Sequence, residues 1–283
     1  MRHLEPKRLL KPLNARNPRN RRRAGTAGAT VRMVVLAIGP MILAGACGTG
    51  SSSRTSATTG AGAAVSPVPT TDPKYHPVIN PAKFTASVTN LYFPLKAGTT
   101  TILEGTRDGQ PQHTEMVVTT ETKTIMGVAC TVIRDTVTSN GALVEKTTDW
   151  YAQAADGDVW YFGETTAEYA NGQVSSTKGS WEAGVDGALP GIIMKAAPGV
   201  GDSYRQEYRP GEAEDMARVV RLDPARTVAG NLYKNIVVTE DRNPLEPDKV
   251  DQKDFAPGVG LVYTRRIRTG HTEEATFVKT VAS

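Results

Sequence analysis

From Gly98 to the C-terminus, apolar and polar residues alternate with the period of two that belongs to β-strands. Residues 99–105, 113–124, 127–138, 143–154, 158–169 and 173–181 are rich in β-branched and aromatic side chains. They are separated by Asp108-Gly109, Met126-Gly127, Asn140-Gly141, Asp156-Gly157 and Asn171-Gly172. Asn-Gly and Asp-Gly pairs supply the positive φ angles that tight hairpins need, so the pattern predicts an antiparallel meander. Residues 219–222, 235–240, 249–255, 260–268 and 274–281 continue it as strands, and 212–217 reads as one helical turn.

The pattern also assigns faces. Val159-Trp160-Tyr161-Phe162 is apolar on both sides, which predicts a central strand covered on both. Residues 143–149 are polar on much of one face, which predicts a half-wet strand. A sheet with both kinds of strand must curl or be capped. The expectation for residues 98–283 is an all-β domain, an antiparallel meander forming a β-sandwich or half-open barrel. Residues 184–201 (GVDGALPGIIMKAAPGVG) read as an apolar loop. Its Leu189, Ile192, Ile193 and Met194 would either cap the mouth of the sheet or form a lid over a ligand.

Ahead of the domain the pattern changes twice. Residues 73–97 form a Pro-rich lead-in whose Phe84, Tyr92 and Phe93 should pin it to the sheet. Residues 47–72 are Ser, Thr, Gly and Ala with little to bury, a disordered tether reaching about 25–30 Å as a flexible chain. Residues 1–46 have the grammar of a signal peptide: a basic stretch, then the 14-residue apolar run 33–46, then Cys47. That run is short for a membrane span, which needs about 20 residues. Leu43-Ala44-Gly45-Ala46-Cys47 resembles the lipobox of bacterial lipoproteins, with Leu43 one position further from the cysteine than usual. The resemblance implies that Cys47 carries a lipid and begins the mature chain.

Charge changes the picture of partners. The chain has 33 Lys/Arg and 29 Asp/Glu, but ten of the bases and one acid fall in the first 32 residues. Residues 33–283 are therefore net acidic by five charges, which argues against nucleic acid, whose phosphates need a basic face. The two cysteines, Cys47 and Cys130, leave no intrachain disulfide once Cys47 is acylated. Cys130, in the alternating run 128–132, reads as a buried small hydrophobe.

Several strings, among them DWYAQAADGDVWYFGE, GSWEAGVDGALPGIIM and GDSYRQEYRPGEAEDMA, resemble those of a family of secreted, lipid-anchored, β-rich bacterial proteins. The likeness covers about residues 90–282. It implies export and a shared fold, and it carries no activity, cofactor or substrate.

Candidate chemistry concentrates between Asp149 and Met216, which hold all three tryptophans and five of the nine tyrosines. No Gly-x-Ser-x-Gly elbow is present, and His76, His113 and His271 read as solvated residues of the lead-in and turn edges. Neither His-x-x-x-His nor Cys-x-x-Cys spacing occurs, and Asp156-Gly157-Asp158 fits turn chemistry before a calcium site, even with Asp186 approaching. No metal or cofactor is expected. Trp150, Trp160 and Trp181 could line a sugar or lipid site, although central-strand aromatics are more often core. In Tyr204–Tyr208, alternation places Tyr204 and Tyr208 on one face and Arg205 and Glu207 on the other, where Arg205 could hold Glu207. Glu207, Glu212, Glu214 and Asp215 form a carboxylate cluster that could serve an extracytoplasmic hydrolase.

The favoured expectation is a non-enzymatic lipoprotein, anchored to the cell membrane through Cys47. It would bind or assemble with a lipid, a glycan or an envelope protein. The basic stretch is long for a signal peptide, and Val31 could be the true translation start. A reporter fusion from which residues 1–30 are deleted should still be expressed; product made only from Met1 would refute that start.

Overall fold

The structure, a computed structural model, describes residues 75–268 and 271–283. The expected signal peptide, tether, start at Val31 and lipidated Cys47 lie outside the described residues. Among those described, no helix is long and apolar enough to cross a membrane.

The lead-in makes one 3-10 turn at Pro81–Lys83 and the short strand β1 (Phe84–Thr85). The meander then runs through β2 (Thr99–Arg107), β3 (Gln110–Ile125), β4 (Val128–Ser139), β5 (Ala142–Ala154) and β6 (Val159–Ala170). Short strands β7 (Gln173–Ser176) and β8 (Trp181–Glu182) lead to β9 (Leu189–Met194), β10 (Ser203–Arg205) and β11 (Glu207–Tyr208). A second meander consists of β12 (Met216–Val228), β13 (Asn231–Arg242), β14 (Lys249–Ala256), β15 (Gly260–Arg268) and β16 (His271–Ala282).

All pairings are antiparallel, and the strand order runs β10-β12-β13-β14-β15-β16-β2-β3-β4-β5-β6-β9-β11. The two ends of this order, β10 and β11, are consecutive in the chain and separated only by Gln206. The sheet therefore curls until its edges meet, a nearly closed barrel. The all-β expectation holds, and of its two forms the structure takes the barrel. Backbone N–H groups of Gln206 and Glu207 both donate to the Asp215 carbonyl, which ties the seam to the next long strand, β12. Closure demands close backbone approach at Gly191, where a Cβ would sit inside van der Waals contact of the Gln206 carbonyl.

The turns come from the expected residues. Asp108-Gly109, Met126-Gly127, Asn140-Gly141 and Asn171-Gly172 each have both φ angles positive. Ala229-Gly230 does the same between β12 and β13, with no turn signature to announce it. Alanine rarely takes that conformation, so residues 223–234 carried no strand expectation, whereas β12 and β13 run straight through to the turn.

Residues facing each other across antiparallel strands share a face, so register and burial together define the interior. One part is apolar: Leu103, Val118, Ile133, Val219, Val237 and Phe255 point inward with Tyr151 and Tyr161, whose rings stack at 4.6 Å. The lead-in contributes to this core. Phe93 packs edge-on to Tyr151 at 5.3 Å, and Phe84 packs on Phe162 and Trp160, so residues 159–162 are covered on both faces as expected. Cys130 is fully buried, and burial pushes its thiol up to about 12, which leaves it unreactive. A second apolar cluster gathers Val228, Ile236, Val238, Ala256 and Val262 from β12–β15.

Two local expectations are corrected and a third changes face. Residues 189–194 are strand β9, paired to β6 and β11, and neither a cap nor a lid. Residues 212–217 make no helical turn; the chain turns tightly at Arg209–Ala213 and enters β12. Residues 143–149 are half-wet as expected, but on the other face: Lys146 is exposed and Thr148 half-buried, whereas the face with more polar residues is covered. Its Glu145, Thr147 and Asp149 are 3%, 3% and 0% exposed, because closure turns that face into the barrel.

Gly191→Ala should lower stability by about 2–3 kcal/mol through overpacking at the seam. A urea unfolding curve with an unchanged midpoint would show that the approach is relieved cheaply.

Candidate functional site

The polar part of the interior is built by strands whose inward positions are ionisable. From β4, β5 and β6 come Asp135, Glu145, Asp149 and Glu164; the seam adds Glu207 and Asp215; β13–β16 add Asp241, Asp251, Lys253, Arg266 and Glu273. Asp149 and Glu164 are direct cross-strand neighbours, as are Asp241 and Asp251. Some of these charges are paired. Arg266 grips Asp251 with two bonds of 2.7 and 3.0 Å, and Lys253 lies 2.7 Å from Asp241. Those contacts hold the Asp251 carboxyl below its ordinary range despite burial, and they raise Lys253 and Arg266.

Glu273 also meets Arg266, at 3.5 Å, but Asp135, Glu145, Asp149, Glu164, Glu207 and Asp215 have no such cationic partner in contact. Both carboxylate oxygens of Asp135, Glu164 and Asp215 lack a hydrogen-bonding protein group, as does one oxygen each of Glu145, Asp149 and Glu207. Burial, reinforced by neighbouring carboxylates, pushes Asp135, Glu164 and Glu207 well above the usual carboxylate range; burial does the same to Glu145 and, against the pull of Lys249 and Lys253, to Asp215. Asp149 is pushed up to about 7 by burial, against the hydrogen bond it accepts from the Tyr161 hydroxyl at 2.5 Å. In water-poor surroundings these groups take up protons in preference to carrying uncompensated charge.

The expected carboxylate cluster is therefore divided. Glu207 and Asp215 lie inside the barrel, 2% and 1% exposed, with Asp215 the principal charge acting on Glu207. Arg205 does not hold Glu207. It stands 4.0 Å from Glu214, which caps the Gly211 N–H at 2.8 Å, while Glu212 is half-buried in the neighbouring turn. The strict alternation expected over 204–208 fails at Gln206, where the chain leaves one sheet edge and joins the other. As a result Arg205 and Tyr208 come together, the guanidinium 4.8 Å from the ring.

Two recesses, one on the outer side of the seam and one beside it, collect the remaining candidates. The first, about 370 Å³, is lined by Tyr75, Trp160, Ile192, Lys195, Ser203, Tyr204, Arg205 and Met216. Tyr75 packs against Tyr208 at 5.3 Å and anchors its hydroxyl on the Pro190 carbonyl. Burial raises its phenol. The second recess, about 240 Å³, is lined by Trp150, Glu164, Ser180, Trp181, Glu182, Asp186 and Arg209, among others. There Lys123 sits 3.5 Å over the Trp150 ring, and Arg209 spans from the Ser180 carbonyl to Asp186. A third hollow of about 540 Å³ lies between the lead-in and β3. Glu207, Glu212, Glu214 and Asp215 line none of the three.

Trp160, Tyr204 and Arg205 thus meet at one recess with Tyr208 behind them, and Trp150, Trp181 and Asp186 meet at another. Tyr75 and Lys195 were missed: Tyr75 lies in the lead-in, far along the chain, and Lys195 looked like part of a loop. Asp156 and Asp158 serve backbone amides of their own turn and of Ala196. Among the described residues no group of three His, Cys, Asp or Glu side chains could hold a metal ion. His113 is not at a turn edge; it stands within β3 between Glu104 at 2.7 Å and Glu115 at 3.3 Å, and its hydrogen bond to Glu104 raises its pKa.

No family model and no curated protein matches the chain. Two solved structures resemble it: an exported protein, so assigned, with a YmcC-like fold from Bacteroides fragilis, and an assigned lipoprotein from Parabacteroides distasonis. Each is 12% identical and matches 68% of this chain and 99% of its own, with TM-scores of 0.40 and 0.37. Likeness at this level transfers no function.

The interior sets the pH dependence of stability. A carboxyl whose folded pKa is raised binds its proton more tightly in the native state, so its contribution is complete below about pH 4 and fades as pH rises through the folded value. For Asp149 the loss falls between about pH 4 and 7 and amounts to at most about 4 kcal/mol. The melting temperature should therefore fall from pH 5 to pH 8, and Asp149→Asn should flatten that fall. Equal slopes for the two proteins would show that Asp149 is already ionised at pH 5.

Proposed function

We propose that the chain is a non-enzymatic binding protein of the extracytoplasmic space, held at the membrane by a lipid on Cys47. The leader supports the address: a basic stretch, an apolar run of 14 residues and small residues before Cys47, then a tether of small polar residues before the fold. The binding reading is carried by one observation. The aromatic and cationic side chains of the seam converge on an open recess, whereas its carboxylates Glu207 and Asp215 are buried within the barrel.

Hydrolysis would require a carboxylate that reaches both substrate and water. Aromatic walls with a few placed polar groups are instead the ordinary composition of a small-ligand site, and 370 Å³ lies within the usual size range of about 300–1,000 Å³. A glycan or the headgroup of a lipid fits such a recess better than an acyl chain, because its lining mixes rings with Lys195, Ser203 and Arg205.

Two measurements test this reading. Cys47→Ser should move the protein from the membrane fraction to the soluble extracytoplasmic fraction; unchanged membrane association would refute the lipid anchor. Native mass spectrometry of the full chain, released from mild detergent, should retain a non-covalent ligand mass. A Trp160→Ala protein should lose that mass, and a clean ligand-free mass in the wild type would refute binding.

A further inference from the structure

The recess at the seam has an uneven supply of hydrogen-bond donors. Arg205 is 5% exposed, yet its Nη1 and Nη2 have no acceptor in the protein. Glu214 compensates its charge from 4.0 Å, too far for a hydrogen bond, and spends its other oxygen on the Gly211 amide. The guanidinium is fixed in place by rings, 4.8 Å from Tyr208 and 5.8 Å from Tyr75. Nearby, Lys195 approaches the Asp202 carboxylate no closer than 3.9 Å. A planar fork of donors, buried and held by aromatic faces, is complementary to an oxyanion that accepts two parallel bonds. The walls supply the other half of the site: Trp160, Tyr75 and Ile192 offer flat or apolar surface.

We infer that this recess binds a small oxyanion carried on a ring, the carboxylate or phosphate engaging Arg205 and Lys195 while the ring lies against Trp160 and Tyr75. This rests on the reading of the chain as a binding protein and names the ligand class of that site. The volume of about 370 Å³ suits one such ring and excludes a long chain folded on itself. The seam explains why the site is here. Arg205 ends β10 on the outer side of the closure, and the acids that could have neutralised it, Glu207 and Asp215, are turned inward.

The test titrates the full chain in mild detergent with glucuronate, benzoate, glucose and inorganic phosphate, by calorimetry and by tryptophan fluorescence with Trp160→Phe as the control. Glucuronate or benzoate should saturate one site and quench Trp160, with glucose at least about tenfold weaker. Which of the two ring acids binds more tightly decides between a sugar and an aromatic body. Arg205→Met should weaken the ring acid about tenfold or more, and Lys195→Met about two- to fivefold. Lys195 is partly exposed, so its variant carries the test if Arg205→Met fails to fold.

The inference is overturned by three results: no binding of either ring acid, binding unchanged in the Lys195 and Arg205 variants, or inorganic phosphate binding as tightly as the ring acids. If the native protein retains a ligand mass while the ring acids fail, the binding reading stands and this assignment falls.

Discussion

The structure depends on the closure of one sheet upon itself across a single residue, Gln206. An open sheet could leave the polar face of β5 in water. Once β10 and β11 meet, that face and its counterparts on β4, β6, β13 and β14 become the inside of a barrel, and Asp135, Glu145, Asp149, Glu164, Asp241 and Asp251 lose their solvent. Removing carboxylates from water is costly, and pairing returns roughly what desolvation takes. In the paired subset, Arg266 with Asp251 and Lys253 with Asp241, direct contact offsets that cost. Burial shifts the unpaired subset toward the neutral form. Net stabilisation must then come from elsewhere: the strand ladder, and the apolar part of the interior where Phe93, Tyr151 and Tyr161 pack together with Leu103 and Ile133.

That division of labour constrains function. Interior groups that are busy compensating one another, or neutralised to avoid charge, are poorly placed to meet a solute. The seam is different because it cannot be fully regular. Gly191 must let the Arg205–Gln206 backbone pass close by, and Asp215 must satisfy two successive amides with one carbonyl. Irregular closure leaves recesses, and the lead-in fills only part of them. Tyr75 is the clearest example: it bridges to the Pro190 carbonyl and the Tyr208 ring, so a residue outside the meander becomes one wall of the seam recess.

What the sequence made legible was local. Asn140-Gly141 and Asn171-Gly172 announce their turns because both residues adopt positive φ. Residues 159–162 announce a doubly covered strand because no polar residue interrupts them. What it hid was non-local. Leu189–Met194 looked like a loop since its glycines and prolines dominate any short window, and only pairing with β6 and β11 makes it a strand. The polar face of β5 looked wet because nothing within β5 says that the sheet will close. Trp160 and Arg205 were separately visible as candidates, but their meeting needed the edges of the sheet to come together. Their partner Tyr75 lies 85 positions before Trp160 in the numbering.

The same closure explains how neighbouring residues come to have opposite fates. On one side of the seam Arg205 and Glu207 flank Gln206; on the other, Glu214 precedes Asp215. The first member of each pair, Arg205 and Glu214, faces the other near the outer recess, while the second, Glu207 and Asp215, faces the other within the barrel. Charge is thereby sorted across a single layer of backbone. The inner pair consists of two acids, whose mutual repulsion is relieved by taking up protons and by Lys249 and Lys253 nearby. The outer pair is an acid and a base, and its base has more donors than the acid can use. A guanidinium cannot relieve an unmet hydrogen bond by losing its proton. Where a carboxylic acid adapts to burial by becoming neutral, an arginine adapts only by finding an acceptor, and the outer recess is where one can arrive.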